Sequence, residues 1–352
     1  MTQLGQAALD PAAWPEVMES ICRAVGATAA LLLQSDVRTS DVPRTKSIEE
    51  GTRHYFANNW HESDPRAKGF PRLMAGEVVT DHDILTPEQM RGDPMYNEVL
   101  YPFGFHWFAG IGFWAESAAW ALTIQRTARE GPFEKRDKRL LATLAPRLTE
   151  TATLSTAVGR VALSGMIGVL DRLRQPAVVL DRQGKVLDLN TAAAAGLDDD
   201  IRIANKRLVV RDKNAAANLD RLVSMIRAMP ESAALPTEPI LVRRSRKRSV
   251  VVRVLPVDGA ARSAFLGARA ILLLSNLTPP QAPEASLISQ ALGLTGAESR
   301  LVSLLATGMP IEAAAKDLGI ARETARNHLK AAFSKTGTHR QAELISLVSQ
   351  LG

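Results

Sequence analysis

The chain contains a single cysteine, Cys22, among its 352 residues. One cysteine excludes an intramolecular disulfide framework and any cysteine-rich zinc or iron–sulfur cluster, and it suits a reducing compartment. Lys and Arg are also missing before Arg23, and no apolar run follows the amino terminus, so we expect no secretory signal peptide. These absences predict a cytoplasmic protein.

Common catalytic signatures are lacking as well. The sequence has no G-x-S-x-G elbow, no P-loop, no G-x-G-x-x-G and no H-E-x-x-H, and Cys22 lies within an apolar helical pattern that predicts a core position. No His residues have the tight spacing of a metal site. We therefore expect a protein that is not an enzyme, with no catalytic residues, no metal site and no cofactor.

Only one apolar run, Trp107 to Ile124, has the length of a membrane span. Glu116 lies in the middle of this run, and Gly110 and Gly112 interrupt it further. A charge at that position favours a buried hairpin that turns near Glu116–Ser117 over a spanning helix. We expect no membrane partner.

The remaining composition is that of a globular protein, with 46% hydrophobic residues and charges of both signs. At roughly 100–200 residues per domain, two or three domains are expected. Basic residues exceed acidic ones, 43 against 37, which gives a net charge of +6. This excess suits an anionic partner, although a basic soluble surface is about as common.

Aromatic residues are few, and all Trp and Tyr lie before residue 121. This first zone opens with helical spacing from Trp14 to Val25 and an extended stretch from Thr28 to Gln34. A second strand is predicted at Trp120–Gln125, followed by a charged helix start at Phe133–Lys138. The outline resembles GAF-like ligand-binding domains, and we assign residues 1–150 to an α/β sensor domain of that type.

A helical connector follows, which we place at residues 151–175. Apolar residues recur at helical spacing, with predicted interruptions at Pro146, Gly159 and Gly165; they are Leu140, Leu144, Leu148, Leu154, Val158 and Val161. This surface suits packing against a second copy of the chain or against its own domain, and both alternatives remain open.

The second zone, residues 176–278, begins with two apolar strands around the turn residues Asp181-Arg-Gln-Gly184. A short helix is predicted at Thr191–Ala195, and three further strands at Pro239–Arg243, Ser249–Val257 and Ala268–Leu274. This order resembles a PAS-type α/β domain. A proline-rich linker, residues 279–285, separates it from the last zone.

The last zone carries the signals of short helices. Thr295 and Glu298 form a predicted capping box, Pro310 suits a second helix start, and Gly319 suits its end. Two short helices joined by a glycine-containing turn predict a helix-turn-helix, whose second member enters the major groove. From Arg322 to Arg340 the net charge is +4.

This zone resembles the LuxR-type DNA-binding domain over residues 286–352. The matching segments keep their mutual spacings and lie at residues 294–298, 305–308, 318–320, 324–330 and 335–340. The resemblance implies an all-α tetrahelical helix-turn-helix that binds double-stranded DNA. Ala321 departs from the family, which usually has a Ser or Thr cap there, and Ala325 replaces a bulkier Val.

The family pattern also implies roles for individual residues. Thr324 and His328 would lie close to phosphate, while Arg326, Asn327 and Lys330 would face the groove, where Arg or Lys can donate to guanine and Asn can pair with adenine. The predicted DNA-binding set is Arg322, Thr324, Arg326, Asn327, His328, Lys330 and Lys335.

A small-molecule site is predicted in the first zone, where aromatic residues alternate with His and Asp. The segment from Tyr55 to Asp64-Pro65 resembles acyl-homoserine-lactone receptors, although the tryptophan that those receptors place after Asp-Pro is absent. The candidate ligand-binding residues are Tyr55, Trp60, Asp64 and Trp107. The alternative is an aromatic core in which Asp64-Pro65 caps a helix.

The sequence thus predicts a multidomain α+β protein that regulates transcription as a homodimer, bound to double-stranded DNA and controlled by an unknown small molecule. The alternative function is an RNA-binding or protein-interaction adaptor without specific readout of duplex DNA. The basic zone offers only Phe333 as an aromatic for stacking on single-stranded bases, and we assign that residue to the core.

Overall fold

The computed structural model describes residues 3–35, 41–228, 238–276 and 284–351. The chain divides into two compact units, Met1–Asn276 and Leu277–Gly352. The first unit combines helices with antiparallel sheets, and the described part of the second is helical. The predicted mixed α+β class is therefore confirmed at this level.

The first half of the first unit contains α-helices and the strands of one sheet. The helices there are α1 (Gln3–Leu9), α2 (Trp14–Val25), α3 (Glu49–Ala57), α4 (Phe70–Met74), α5 (Pro87–Gly92), α6 (Lys135–Ala142) and α7 (Leu144–Arg172). The strands are β1 (Ala29–Gln34), β2 (Val78–Thr80), β3 (Trp107–Ala115) and β4 (Ala118–Arg126).

The four strands form an antiparallel sheet in the order β1-β4-β3-β2. The predicted hairpin in the long apolar run is confirmed, because β3 and β4 pair directly across the turn at Glu116–Ser117. Gly110 and Gly112 lie within β3 and do not break it. At Gly112 a Cβ would lie 2.3 Å from the carbonyl oxygen of Leu73, so only glycine lets α4 pack this closely on the strand.

The second half of the first unit contains a five-stranded antiparallel sheet. Its strands are β5 (Ala177–Asp181), β6 (Val186–Leu189), β9 (Ile240–Val242), β10 (Val250–Pro256) and β11 (Ala268–Asn276). They lie in the order β6-β5-β11-β10-β9. The remaining elements are α8 (Thr191–Gly196), α9 (Lys213–Ala228) and a separate hairpin of β7 (Ile201–Ala204) and β8 (Arg207–Val210).

The hairpin at Asp181–Gly184, the short helix after it and the three later strands were all predicted, and the structure confirms them. The sequence did not predict α9 or the β7–β8 hairpin. The turn of this hairpin consists of Asn205 and Lys206, both with positive φ, and it lacks the Asn-Gly pair that usually marks such a turn.

Helix α7 runs for 29 residues without interruption, so the predicted breaks are wrong. Pro146 lies in the first turn, where its missing N–H has no helical partner to lose. Gly159 lies against the carbonyl oxygen of Ala260, 2.8 Å from where a Cβ would stand, and therefore serves close packing. Gly165 has open space around it.

Helix α7 contributes to the core of both halves of the first unit, the beginning of the helix to one half and its end to the other. Leu148 and Ala152 belong to the core built around Trp14 and Trp120, and Leu163 and Ile167 belong to a core under the five-stranded sheet. The stretch Lys135–Arg172 is, among the described residues, the helical stretch long and apolar enough by length and composition to cross a membrane.

Aromatic packing and a buried ion cluster join the two halves of the first unit. Phe265, from the second half, packs edge-on against Trp14 and Trp120, with ring centroids 5.4 and 4.9 Å apart. The Asp41 carboxylate, 1% exposed, is paired with the Arg269 guanidinium. The two sequence zones therefore form one compact unit, and their predicted boundaries at residues 150 and 176 stay predictions.

The second unit contains α10 (Ala285–Leu292), α11 (Gly296–Ala306), α12 (Ile311–Asp317), α13 (Arg322–Thr336) and α14 (Gln341–Val348). Helix α10 is additional to the four helices that the sequence predicts. The predicted linker, residues 279–285, lies outside the described residues except for Glu284 and Ala285, and Ala285 begins α10.

Candidate nucleic-acid interface and ligand cavity

Helices α12 and α13 are joined by a turn of four residues, 318–321. Gly319, with a φ of +65°, provides the left-handed backbone in the turn between them. Ala314 and Ala315 of α12 and Ala325 of α13 are buried together against α11. These small side chains let the helices approach closely. At this short separation Ala325 fills the space between them, although the family usually has a bulkier Val at its position.

The predicted capping box at the start of α11 is confirmed. Glu298 Oε2 accepts a hydrogen bond from the Thr295 backbone N–H at 2.7 Å, and Thr295 Oγ1 accepts one from the Glu298 N–H at 3.4 Å. Burial would raise the pKa of Glu298, but hydrogen bonds from Lys335 and Thr295 hold it below its ordinary value.

Lys335 therefore differs from the other predicted DNA-binding residues. Its ammonium lies 2.7 Å from Glu298 Oε2 and 3.0 Å from Oε1, and this ion pair ties the end of α13 to the start of α11. A structural ion pair is a different role from the phosphate contact that charge alone predicts for this lysine.

The outward face of α13 consists of polar and basic side chains. Thr324, Arg326, Asn327 and Lys330 are exposed, whereas His328 is half-buried. No side chain caps the helix at Ala321, as the sequence predicts, so its first backbone N–H groups are open to an anion.

Acidic neighbours reduce the positive charge that the sequence assigns to this helix. Arg322 pairs with Glu312 of α12, and Arg326 lies 3.8 Å from Glu323 on its own helix. In the part of the chain that the structure describes, Lys330 and Arg340 have no ion pair. Glu312 and Glu298 act from other helices, so the local charge of α13 alone could not reveal them.

The first unit contains a cavity of about 210 Å³ between the four-stranded sheet and the helices α3 and α4. Most of its wall is apolar. Its polar groups come from Gln34, Ser35, Thr52, Tyr55, His61, Asp64, Arg66, Thr123 and Gln125. The apolar wall includes Leu31, Ile48, Phe70, Leu73, Met95, Val99, Leu100, Phe105 and Phe108.

Asp64 is held by hydrogen bonds on both carboxylate oxygens. Oδ1 accepts from the Arg66 backbone N–H at 2.9 Å and from Nε at 3.0 Å, and Oδ2 accepts from Nη2 at 2.8 Å and from the Tyr55 hydroxyl at 3.0 Å. The backbone bond makes Asp64 the cap of a 3₁₀ helix, Pro65–Gly69. The capping alternative and the predicted place in a pocket thus both hold for this residue.

The arginine next to it controls the state of this carboxylate. Burial alone would raise the pKa of Asp64, but the Arg66 guanidinium and its hydrogen bonds lower it below its ordinary value. The pKa of Arg66 is raised in turn, because the attraction of Asp64 outweighs burial. Their side chains are only 11% and 9% exposed, so this is a buried ion pair.

The two predicted tryptophans lie outside the cavity wall. Trp60 and Trp107 pack against the hydrophobic cluster that supplies much of this wall, and their indole N–H groups are buried with no hydrogen-bond partner among the described residues. Of the four predicted ligand-binding residues, the structure therefore brings Tyr55 and Asp64 together at the cavity. Arg66 and Gln125 were missed, because only the folded chain places them there.

Asp81 lies deeper in the same half and has the opposite electrostatic environment. It accepts hydrogen bonds from the Tyr96 hydroxyl and the Phe108 N–H. Burial outweighs these bonds and raises its pKa. Within the described ranges no group of three or more His, Cys, Asp and Glu side chains could hold a metal ion.

Comparison with known proteins gives structural likenesses only. No family model matches the chain, and no curated protein matches it. Among solved structures, it is similar to the ligand-binding domain of VqsR from Pseudomonas aeruginosa, with 15% identity over 43% of this chain and 90% of that one, at a TM-score of 0.34.

Two further structures cover more of the chain. Escherichia coli SdiA is 11% identical over 97% of this chain and 91% of its own, at a TM-score of 0.31. Vibrio cholerae VqmA, a LuxR-type receptor, is 16% identical over 53% of this chain and 87% of its own, at a TM-score of 0.21. Because these TM-scores are all below 0.5, what those proteins bind is not carried over to this chain.

Proposed function

We propose that this protein is a LuxR-type, DNA-binding transcription regulator that acts as a homodimer and is controlled by a small molecule in the cavity of its first unit. The GAF-like and PAS-like assignments of the two halves of that unit belong to the same proposal. The proposal rests on the residues of this chain.

The observation that supports DNA binding most strongly is the two-sided character of α13. Its inner face is buried through Ala325 and Ala332. Its outer face carries the exposed polar side chains of Arg326, Asn327 and Lys330. A helix that follows a short turn and presents Arg, Asn and Lys in adjacent turns has the donors needed to read bases in the major groove.

Selection from a pool of random duplex DNA, with the purified full-length chain, tests this function directly. We expect enrichment of a sequence with two-fold symmetry, because each copy of a dimer supplies one recognition helix to one half-site. Failure to enrich any sequence, together with equal binding of all duplexes, would reject specific regulation of transcription.

Arg326→Ala is expected to weaken binding to the selected site by about 1–3 kcal/mol and to relax base preference at one position of each half-site. The reason is that an exposed guanidinium next to the groove can donate two hydrogen bonds to guanine. Fluorescence anisotropy on the selected duplex and on single-base variants of it measures both effects.

Two further variants separate base reading from charge. Lys330→Ala, if this side chain contacts phosphate, reduces the slope of log affinity against log salt by about one unit on every sequence. Arg300→Ala removes a cation from α11 and leaves the outer face of α13 intact, so it serves as the matched control. Equal effects of Arg326→Ala and Arg300→Ala on site preference would argue against α13 as the reading helix.

Homodimerisation is proposed to use the exposed face of α7. Leu154, Val161 and Val169 are exposed on one side of the helix, and Leu173 follows directly after it. Residues 161–170 contain no charged residue, so two copies of this face can meet without like-charge repulsion. The sequence left two alternatives open for this connector, packing on its own domain and packing against a second copy. The buried face of α7 packs on its own domain, so the exposed face is the one available to a second copy.

Val161→Glu is therefore expected to weaken dimerisation at least about 100-fold, because it would bury a charge between two apolar faces. Sedimentation equilibrium across a range of protein concentrations measures the change. Leu187→Glu is the matched control, since Leu187 is an exposed leucine that belongs to β6 and not to the face of α7. A dimer of unchanged affinity in the Val161 variant would place the interface elsewhere.

The alternative adaptor function is less well supported. Single-stranded RNA is usually bound by stacking of bases on exposed aromatic rings. In the described part of the second unit, the aromatic of the basic region, Phe333, packs against the core of that unit. Competition between duplex DNA and single-stranded RNA of the selected sequence separates the two functions.

A further inference from the structure

The resemblance to acyl-homoserine-lactone receptors makes the Asp64 carboxylate a candidate acceptor for a ligand, but in the structure this carboxylate is already fully hydrogen-bonded. Asp64 already accepts hydrogen bonds from the Arg66 backbone, from two nitrogens of its guanidinium and from Tyr55. A carboxylate has about four lone-pair positions, and those of Asp64 are occupied. Asp64 is therefore not available to accept a hydrogen bond from a ligand.

The guanidinium of Arg66 keeps unused donors. Every hydrogen bond of this side chain to the described residues goes to Asp64, through Nε and Nη2. Nη1 carries two N–H groups with no such bond, and Arg66 forms part of the cavity wall. A ligand oxygen next to Nη1 would receive a charge-assisted hydrogen bond, which is about twice as strong as a neutral one.

Charge balance decides what kind of oxygen fits. Asp64 already neutralises Arg66, and the cavity wall holds no second Lys or Arg. A ligand carboxylate would therefore add an uncompensated negative charge at a buried site, next to an existing carboxylate. An uncharged oxygen, such as that of a ketone, ester or amide, accepts the same hydrogen bond without this penalty.

A second polar group at the wall also lacks a partner. Gln125, on β4, is 2% exposed, and its Oε1 has no hydrogen-bond partner among the described residues. Buried polar atoms nearly always have a partner, so this acceptor calls for an N–H or O–H donor supplied from outside the chain. A plain hydrocarbon would leave both Gln125 and Arg66 unsatisfied, whereas a carbonyl oxygen satisfies Arg66 and leaves Gln125 to a separate donor such as a water molecule.

The size of the cavity limits the ligand. A cavity of about 150 Å³ accommodates benzene, so the 210 Å³ observed here suits roughly 8 to 12 non-hydrogen atoms. The mostly apolar wall favours an aromatic or short aliphatic body.

We propose that the cavity binds a small, uncharged, mainly apolar molecule whose carbonyl oxygen accepts a hydrogen bond from Arg66 Nη1. This inference rests on the proposed function only in giving such a ligand a regulatory role. The binding site itself is independent of whether the protein binds DNA.

Three matched compounds test the proposal on the full-length protein. 4-Phenylbutan-2-one has the carbonyl, 3-phenylpropanoate has a carboxylate in its place, and butylbenzene has neither. By titration calorimetry at pH 7, we expect the ketone to bind about 10-fold or more tightly than either of the others. Equal affinity of ketone and hydrocarbon, tighter binding of the carboxylate, or no binding of any of the three would each overturn the proposal.

A double variant, Asp64→Asn with Arg66→Met, assigns the hydrogen bond to Arg66 without leaving a buried charge behind. The ketone should lose its advantage over butylbenzene, while the hydrocarbon binds as before. The carbonyl ¹³C resonance of the labelled bound ketone should also lie downfield in the wild type relative to the variant. An unchanged advantage and an unchanged resonance would show that Arg66 is not the donor.

The control removes an exposed ion pair away from the cavity wall. Glu88 and Arg91 lie three positions apart on α5, with 3.0 Å between Arg91 Nη2 and Glu88 Oε1, so Glu88→Gln with Arg91→Met should leave ketone binding unchanged. DNA binding is measured on the same samples. Ketone binding without any DNA binding would reject the regulator function and keep the cavity proposal, and DNA binding without ketone selectivity would do the reverse.

Discussion

Replacing Asp41 by Ala is expected to lower the free energy of unfolding by about 3–5 kcal/mol, the usual result of removing one partner of a buried ion pair. Asp41 is 1% exposed and pairs with Arg269, which is 2% exposed, and Arg262 lies 3.9 Å away. The substitution therefore leaves a buried guanidinium without its carboxylate, at a contact between the two halves of the first unit.

Urea unfolding at pH 7, followed by tryptophan fluorescence, measures this loss because all tryptophans lie in the first half. The control is Glu88→Ala, which removes an exposed ion pair with Arg91 on the same unit and should leave the midpoint nearly unchanged. Equal midpoints for the Asp41 and Glu88 variants would mean that the buried cluster adds nothing to stability.

The effect of the Asp41 variant should also depend on pH. Burial would raise the pKa of Asp41, but Arg269, Arg182 and Arg262 together lower it below its ordinary value. A carboxyl whose pKa is lowered on folding stabilises the fold above its unfolded pKa of about 3.9, and that contribution is lost as pH falls through the folded value. The difference between wild type and variant should therefore shrink in acid.

This cluster shows what the sequence could not reveal. Asp41 and Arg269 are separated by 228 positions, and no local pattern indicates that they meet. The capping box at Thr295 and the hairpin turn at Gly184 are different, because a few adjacent residues determine each of them. Local elements were therefore predicted well, and long-range pairing was not.

The same contrast between local and long-range determinants separates the two candidate sites, the outer face of α13 and the cavity. The outward residues of α13 follow from helical periodicity within one helix, so the sequence could name Arg326, Asn327 and Lys330. At the cavity, the sequence named Tyr55 and Asp64 but could not tell that Asp64 is saturated. That fact depends on a 3₁₀ turn that brings the guanidinium of Arg66 back onto a carboxylate two residues earlier.

The contrast between Asp64 and Asp81 gives the last test, because two buried carboxyls in the same half have pKa values shifted in opposite directions. Asp64→Asn should destabilise the first unit by about 3 kcal/mol or more at pH 7, since it leaves Arg66 as a buried cation without its counterion. Asp81→Asn should cost much less, because Asp81 has no ion pair among the described residues and its amide replacement can still accept from Tyr96 or Phe108.

The pH dependence has opposite signs in the two variants. The pKa of Asp64 is lowered, so its contribution is full above about 3.9 and disappears as pH falls, and the cost of Asp64→Asn should fade in acid. The pKa of Asp81 is raised by burial, so wild-type stability should fall as pH rises from about 3.9 through the folded pKa of this group. Asp81→Asn removes that fall. Urea midpoints between pH 3 and pH 7 measure both trends. Parallel curves for the two variants would contradict the opposite pKa shifts of Asp64 and Asp81.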